Sequence, residues 1–166
     1  DRETRARELP GNDDFADFMA GELLPRVLEE TRMAARPTRT ILAGSSYGGL
    51  AAATVALRHP ESFGNVLSLS GSFWWSPAGM PRDRQEYVAA TLAEATAPKL
   101  RFFLSAGLFE SGPHQGTAGI LETNRHLRDI LVAKGVPVSY REYAGGHDYL
   151  VWRGAISDGL IALFGR

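Results

Sequence analysis

The sequence predicts an α/β domain spanning residues 1–166, with a mostly parallel sheet and helices on both of its faces. Three observations lead there. Short apolar runs of strand length alternate along the chain with longer stretches of helical spacing, the pattern of a parallel sheet covered on both sides. The 166 residues are enough for one domain with a substantial core, and the 44% hydrophobic and 22% charged content is ordinary for a globular protein. The apolar run Thr40-Ile41-Leu42-Ala43 passes through Gly44-Ser45-Ser46-Tyr47-Gly48-Gly49 straight into a small-residue helix, a strand that turns sharply into a helix.

The first element is a helix from Phe15 to Met33, with Phe15, Phe18, Met19, Leu23, Leu24, Val27 and Leu28 on one stripe. Asn12 or Asp13 caps its start, and Pro25 is expected to kink it or split it into two helices. Arg39 to Ala43 is the first strand, and Leu50 to Leu57 the helix after it. Val66 to Ser70 is a second strand, and Gln85 to Glu94 a further helix. Leu100 to Ala106 is the third strand. The helix from Gly119 to Lys134 ends at Gly135, as a C-cap glycine would end it. Val136 to Tyr143 is the fourth strand and Tyr149 to Phe164 the final helix. Pro77 to Arg84 is the most loop-like stretch.

One feature conflicts with this arrangement. Thr40 to Ala43 has the character of a central strand, yet no strand precedes it in the chain. A bare edge on a parallel sheet invites aggregation. The expectation is therefore that earlier strands of the sheet are missing and that residues 1–166 form the carboxyl-terminal part of a longer domain. The alternative is that the N-terminal segment covers the edge.

Composition narrows the partners. A net charge of −1 gives no reason to expect nucleic acid or an anionic membrane surface. There are no cysteines, which excludes a disulfide framework and a thiolate metal site, and the four histidines are too scattered for metal-ligand spacing. Neither a metal nor a cofactor is expected. Asp1 to Arg7 is charged rather than an apolar leader, and no apolar run is long enough to span a bilayer, so a cytoplasmic location is expected.

The chemistry lies in Gly44-x-Ser46-x-Gly48-Gly49. A serine at the apex of a strand-to-helix turn is a nucleophile elbow, its hydroxyl projecting above the sheet from a strained backbone. Gly44 and Gly48 are expected there because a Cβ at either position would crowd the turn. Ser46 is the nucleophile in this scheme, since Ser45 has no glycine two residues before it. The competing explanation is a glycine-rich loop that only turns the chain.

A serine hydroxyl needs a base, and the base needs a carboxylate to orient it. In α/β-hydrolases these follow in the order Ser, Asp or Glu, His. His147, in Gly145-Gly146-His147-Asp148 after the fourth strand, fits the base. His59 and His126 fit structural or surface roles, and His114 a surface loop within reach of substrate. Glu110, just past the third strand, is favoured as the acid. Asp148 ranks second because it adjoins the base in sequence, and a Ser–His dyad without a carboxylate stays open. The N–H of Tyr47 is expected to donate to the oxyanion. The second donor normally comes from a loop after an earlier strand, which is not visible here. Trp74 and Trp75, in Ser70-Gly71-Ser72-Phe73-Trp74-Trp75, suggest a face for an aromatic or apolar acyl group, against the plainer role of covering the core. Trp152 fits packing. Arg153 either reaches the site or pairs with a carboxylate.

Three segments together resemble the enterochelin esterase group of the esterase D family of α/β-hydrolases. They are Gly-Ser-Ser-Tyr-Gly-Gly-Leu-Ala-Ala at 44–52, Leu-Ser-Gly-Ser-Phe-Trp-Trp at 69–75 and Gly-Gly-His-Asp-Tyr-Leu-Val-Trp-Arg at 145–153. Phe15 to Pro25 and Arg5-Ala6-Arg7-Glu8-Leu9 extend the likeness over nearly the whole chain. The resemblance implies that Ser46 and His147 are nucleophile and base, with Glu110 at the acidic position. It also implies hydrolysis of the serine ester bonds of catecholate siderophores through an acyl-enzyme. The partner would be a small-molecule ester that can arrive carrying iron. Relatives with this core act on formylglutathione or feruloyl esters, or transfer mycolyl groups. Two other functions remain open on sequence alone: a serine peptidase of the prolyl oligopeptidase kind, and a hydrolase that binds ligand without turning it over.

Overall fold

The computed structural model describes residues 2–81, 84–113, 116 and 118–165. Its sheet has four strands: β1 (Ile41–Ser45), β2 (Asn65–Leu69), β3 (Arg101–Gly107) and β4 (Val138–Tyr143). All pair in parallel, and they stand side by side in the order in which the chain makes them. Ala43 lies opposite Leu67, Leu67 opposite Phe103, and Gly107 opposite Tyr143. This register brings the carboxyl ends of all four strands to one rim, where open parallel sheets build their sites.

Among the described residues, seven α-helices accompany the strands: α1 (Arg2–Glu8), α2 (Asp13–Phe18), α3 (Leu24–Thr31), α4 (Tyr47–Arg58), α5 (Tyr87–Glu94), α6 (Ile120–Ala133) and α7 (Tyr149–Phe164). The strands feed them by period-2 alternation. Val66, Phe102 and Leu104 join Leu50, Val55, Leu92 and Leu127 of α4 to α6 in one core. The alternate residues Leu67, Leu69 and Phe103 face the other way and pack on Trp152, Ala155 and Leu163 of α7. Phe102 and Phe103 are thus both fully buried, on opposite faces. Each contributes about 1.5–3 kcal/mol relative to an exposed ring. The expected α/β architecture with both faces covered is present, one face by three helices and the other by α7.

Element boundaries moved where turn chemistry decided them. β1 runs on to Ser45 and α4 begins at Tyr47, so one residue makes the turn. The first helical stretch is divided into two α-helices, α2 and α3, with Pro25 in the first turn of the second. A π-helical turn, Met19–Leu23, precedes it, with the Leu24 N–H bonded to the Met19 carbonyl. The π-helical turn before it accommodates the missing N–H of Pro25. Of the two candidate caps, Asn12 is the one used: its Oδ1 accepts the Phe15 N–H at 2.9 Å.

Among the described residues β1 is an edge strand, and Ala43 in its middle is exposed. The N-terminal segment reaches this edge through Arg5, whose Nη2 donates to the Ser45 carbonyl at 3.3 Å. No helix is long and apolar enough to cross a membrane among the described residues.

Candidate active site

Ser46 is the single residue between β1 and α4, at φ 58° and ψ −122°. A non-glycine residue there is strained, by roughly 1–3 kcal/mol, and persists because its surroundings hold it. Its N–H donates to the Leu69 carbonyl at 2.9 Å, and its own carbonyl accepts from the N–H groups of Gly49, Leu50 and Ser72. A Cβ on Gly44 would strike the main-chain carbon and oxygen of Gly48. Gly44 is therefore required by close approach, as expected. Gly48 is not: a Cβ added there meets nothing within 4 Å. The second position closed to a side chain is Gly49, where a Cβ would run into Ser68 Oγ on β2. The expectation for Gly48 fails because the crowding is one-sided, with Gly48 supplying the backbone that Gly44 must avoid.

Glu110 ends a 3-10 turn, Leu108–Glu110, that follows β3 directly. Its side chain is only 2% exposed. Oε1 lies 2.5 Å from His147 Nδ1, while Oε2 accepts from Ser70 Oγ at 2.7 Å and from the Gly107 N–H at 2.5 Å. Three donors thus satisfy both oxygens of this buried carboxyl group. Gly107 must lack a side chain, since a Cβ there would collide with the Gly145 carbonyl ahead of His147. Asp148, the second candidate acid, is occupied otherwise: its Oδ1 caps α7 by accepting the N–H groups of Leu150 and Val151. Nearby, Tyr143 at the end of β4 donates to Asp158 Oδ2 at 2.7 Å. Burial, then this bond to the carboxylate, pushes the Tyr143 hydroxyl up to about 12.

Ser46 and His147 line one cavity of about 440 Å³ together with Tyr47, Ser72, Trp74 and Glu110. Arg5 and Phe109 stand at its margin, and Phe109 is 76% exposed. Ser46 Oγ lies 3.4 Å from Ser72 Oγ. Tyr47 opens α4, so its N–H has no carbonyl to bond within the helix. The Trp74 ring is tilted against Tyr47 at 5.9 Å, and Arg5 lies over the Tyr47 ring at 5.8 Å.

Trp75 and Arg153 are not brought to this cavity. Trp75 meets Tyr87 edge-on at 5.8 Å and lies so close to Gly11 that a Cβ there would touch its ring. Trp74 lines the cavity with Ser46 and His147, while Trp75, half-buried, packs on the core beside α5; both rings also line a second pocket with Tyr47. Arg153 is exposed and lines a separate cleft with Gly44, Leu69 and Ile156, on the α7 side of β1. His59 bridges Asp17 and Glu61, and His126 pairs with Glu86, both at the surface. His114 lies outside the described residues. Sequence reasoning passed over Ser70, Ser72 and Arg5. The serines stand in the same Ser-Gly-Ser-Phe-Trp-Trp segment as Trp74, but nothing local marks a serine that bonds a carboxylate 40 positions away.

Comparison with known proteins identifies the family and the fold. Residues 1–163 match the Esterase family, described as "Putative esterase". The chain is 39% identical over 160 residues to an iron(III) enterobactin esterase of Escherichia coli, and 40% identical over 168 residues to one of Dickeya dadantii. These alignments cover 96% of this chain but only 38% and 37% of those proteins. A crystal structure of the enterobactin esterase of Shigella flexneri, determined in the presence of enterobactin, superposes with a TM-score of 0.83 at 39% identity. That match covers 99% of this chain and 40% of the other. The chain thus spans about two fifths of the length of the relatives it matches. Elbow, sheet order and sequence agree, and the chain belongs to this esterase family, in its enterobactin esterase group, on the α/β-hydrolase fold.

Proposed function

We propose that this chain carries the catalytic centre of a serine carboxylic-ester hydrolase acting on catecholate siderophore esters. The observation that carries the proposal is the Glu110–His147 pair, joined at 2.5 Å in the same cavity as a serine with elbow geometry. The relatives named for enterobactin support the substrate class.

In this scheme Ser46 Oγ attacks the ester carbonyl as His147 Nε2 takes its proton. Glu110 accepts the Nδ1–H, which fixes the tautomer and stabilises the imidazolium. The carbonyl oxygen becomes an oxyanion facing the Tyr47 N–H, at the positive end of α4. Arg5, at the cavity margin, adds positive charge toward that oxygen or toward an anionic catechol. The tetrahedral species collapses, the leaving alcohol takes the proton from imidazolium, and an acyl-Ser46 ester remains. Water then repeats the sequence, with His147 as base, and frees the acid. Trp74 offers the aromatic wall. Trp75 and Arg153 stand outside this scheme. Ferric iron, where present, is cargo of the substrate.

The test is fluorophosphonate labelling read by peptide mapping, beside turnover of an aryl ester and of a dipeptidyl amide. Label on Ser46 that disappears in Ser46→Ala and His147→Ala supports the proposal. Unchanged ester turnover in either purified mutant overturns it. Faster cleavage of the amide replaces the esterase with a peptidase. Catechol quenching of tryptophan fluorescence with no label and no turnover leaves a binding protein.

A further inference from the structure

Trp152 does more than fill space beneath α7. Its Nε1–H donates to Ser70 Oγ at 3.0 Å, and Ser70 in turn donates to Glu110 Oε2 at 2.7 Å. The same indole stands edge-on to the His147 ring, with centroids 4.9 Å apart and planes at 89°. One side chain thus reaches the acid through a hydroxyl and the base through its ring. Ser70 and Trp152 are both buried, at 1% and 9% exposure.

The backbone at Ser70 adds an independent observation. Its φ is +49°, a region where a side chain is strained and glycine is at ease. A position that served only to turn the chain after β2 would be better filled by glycine. Its N–H already extends the ladder to the Ser105 carbonyl at 2.7 Å, so the main chain is satisfied without the side chain. What the serine adds is its hydroxyl.

We infer that Ser70 and Trp152 are positioning residues for the Glu110–His147 pair. The inference rests on the proposed hydrolysis. A serine hydroxyl is a free rotor with one donor and two acceptor sites. With the indole N–H on its oxygen, the Ser70 proton is directed to Oε2. That bond and the Gly107 N–H hold one carboxylate oxygen, which leaves Oε1 turned toward His147 Nδ1. The indole edge meanwhile limits tilting of the imidazole. Neither residue takes a proton from substrate; they act on where the base points.

Two variants separate this from a structural role. Ser70→Gly removes the hydroxyl while relieving the positive φ. Trp152→Phe keeps an aromatic ring in the core while removing the N–H, at the cost of a smaller ring. For an aryl ester we expect kcat to fall about tenfold in Ser70→Gly and about threefold to tenfold in Trp152→Phe, with KM changed less than about twofold. Ser70→Gly leaves the buried indole N–H without its acceptor, a loss that the relieved φ offsets in part, so only a modest fall in melting temperature is expected. Proton NMR gives a readout that does not need turnover. The downfield His147 Nδ1–H resonance, assigned by its loss in His147→Ala, should move upfield or broaden in both variants. Wild-type kcat and an unmoved resonance in both would overturn the inference. So would a wild type that lacks the resonance, or a Ser70→Gly that melts far lower while Trp152→Phe behaves as wild type. Full activity in Ser46→Ala would instead overturn the hydrolase proposal, and the resonance would still decide the positioning.

Discussion

Ser46 and His147 face one cavity but are held there by different means. Around Ser46 the work is main chain: its N–H on Leu69, its carbonyl under three N–H groups, and Gly44 pressed against Gly48. Around His147 it is side chain: Glu110, 37 positions earlier, is itself held by Ser70, the Gly107 N–H and, at one remove, Trp152. Geometry built from backbone needs specific residues at fixed short spacing, so it leaves a local signature. Geometry built from side chains needs only that distant positions meet, and any of several residue types can supply the bonds.

The predictions act on this contrast, and all those that read activity rest on the proposed reaction. Removing the nucleophile should have the largest effect. Ser46→Ala is expected to lower ester turnover by about 10⁵–10⁶-fold with the melting temperature kept or raised, because the strained position loses only a hydroxyl. Calorimetry beside a turnover assay checks both parts. Glu110→Gln comes next. Its amide can still accept from Ser70 and Gly107, but its NH₂ then faces His147 Nδ1 and moves the ring proton to Nε2, where the base is needed. A fall of about 10³–10⁴-fold in kcat with little change in KM is expected. A fall below about tenfold would mean that a dyad suffices.

Gly44→Ala attacks the main-chain half without touching a reacting atom. Its Cβ would land on Gly48 backbone, so the turn must open. We expect a loss of about 1–3 kcal/mol in urea unfolding, with loss of fluorophosphonate label. Gly48→Ala serves as its partner: the open space there predicts a milder effect on labelling. The smallest change lies away from both halves. Asp17 binds Arg58 and His59 at the surface, and the Arg58 guanidinium, followed by His59, holds its carboxyl well below the usual range. A depressed carboxyl stabilises the fold above the unfolded value and loses that contribution as pH falls through the folded one. Asp17→Asn should therefore melt slightly below wild type at neutral pH and low salt. The gap should close as pH drops below about 4, in thermal melts over a pH series.

The same contrast explains what could be read from sequence. The strands, the helices around them and the elbow were legible because periodicity and glycine spacing are local. Glu110 was placed by the order rule for the loop after β3, and the structure sets it beside His147. Asp148 looked equally acidic, and only the fold shows it spent as a helix cap. Trp74 and Trp75 were indistinguishable in sequence, and of the two Trp74 lines the cavity with Ser46 and His147. Pro25 was a breaker on propensity alone, and one π-helical turn absorbed it. Ser70, Arg5 and the hydrogen bond of Trp152 had no local mark, because each depends on a partner at least 40 positions away.

The strand order carries a consequence for how the protein is made. Because neighbours in the chain are neighbours in the sheet, each strand leaving the ribosome can join an edge that already exists. The Ser46 turn has its main-chain partners once β2 and the segment through Ser72 have emerged. His147 follows about seventy-five residues later. At a synthesis rate of about 5–20 residues per second, that is on the order of 4–15 s. During that interval the nascent chain would display a folded elbow with no base beside it. Under the proposed reaction it would leave esters in its surroundings intact until β4 and α7 arrive.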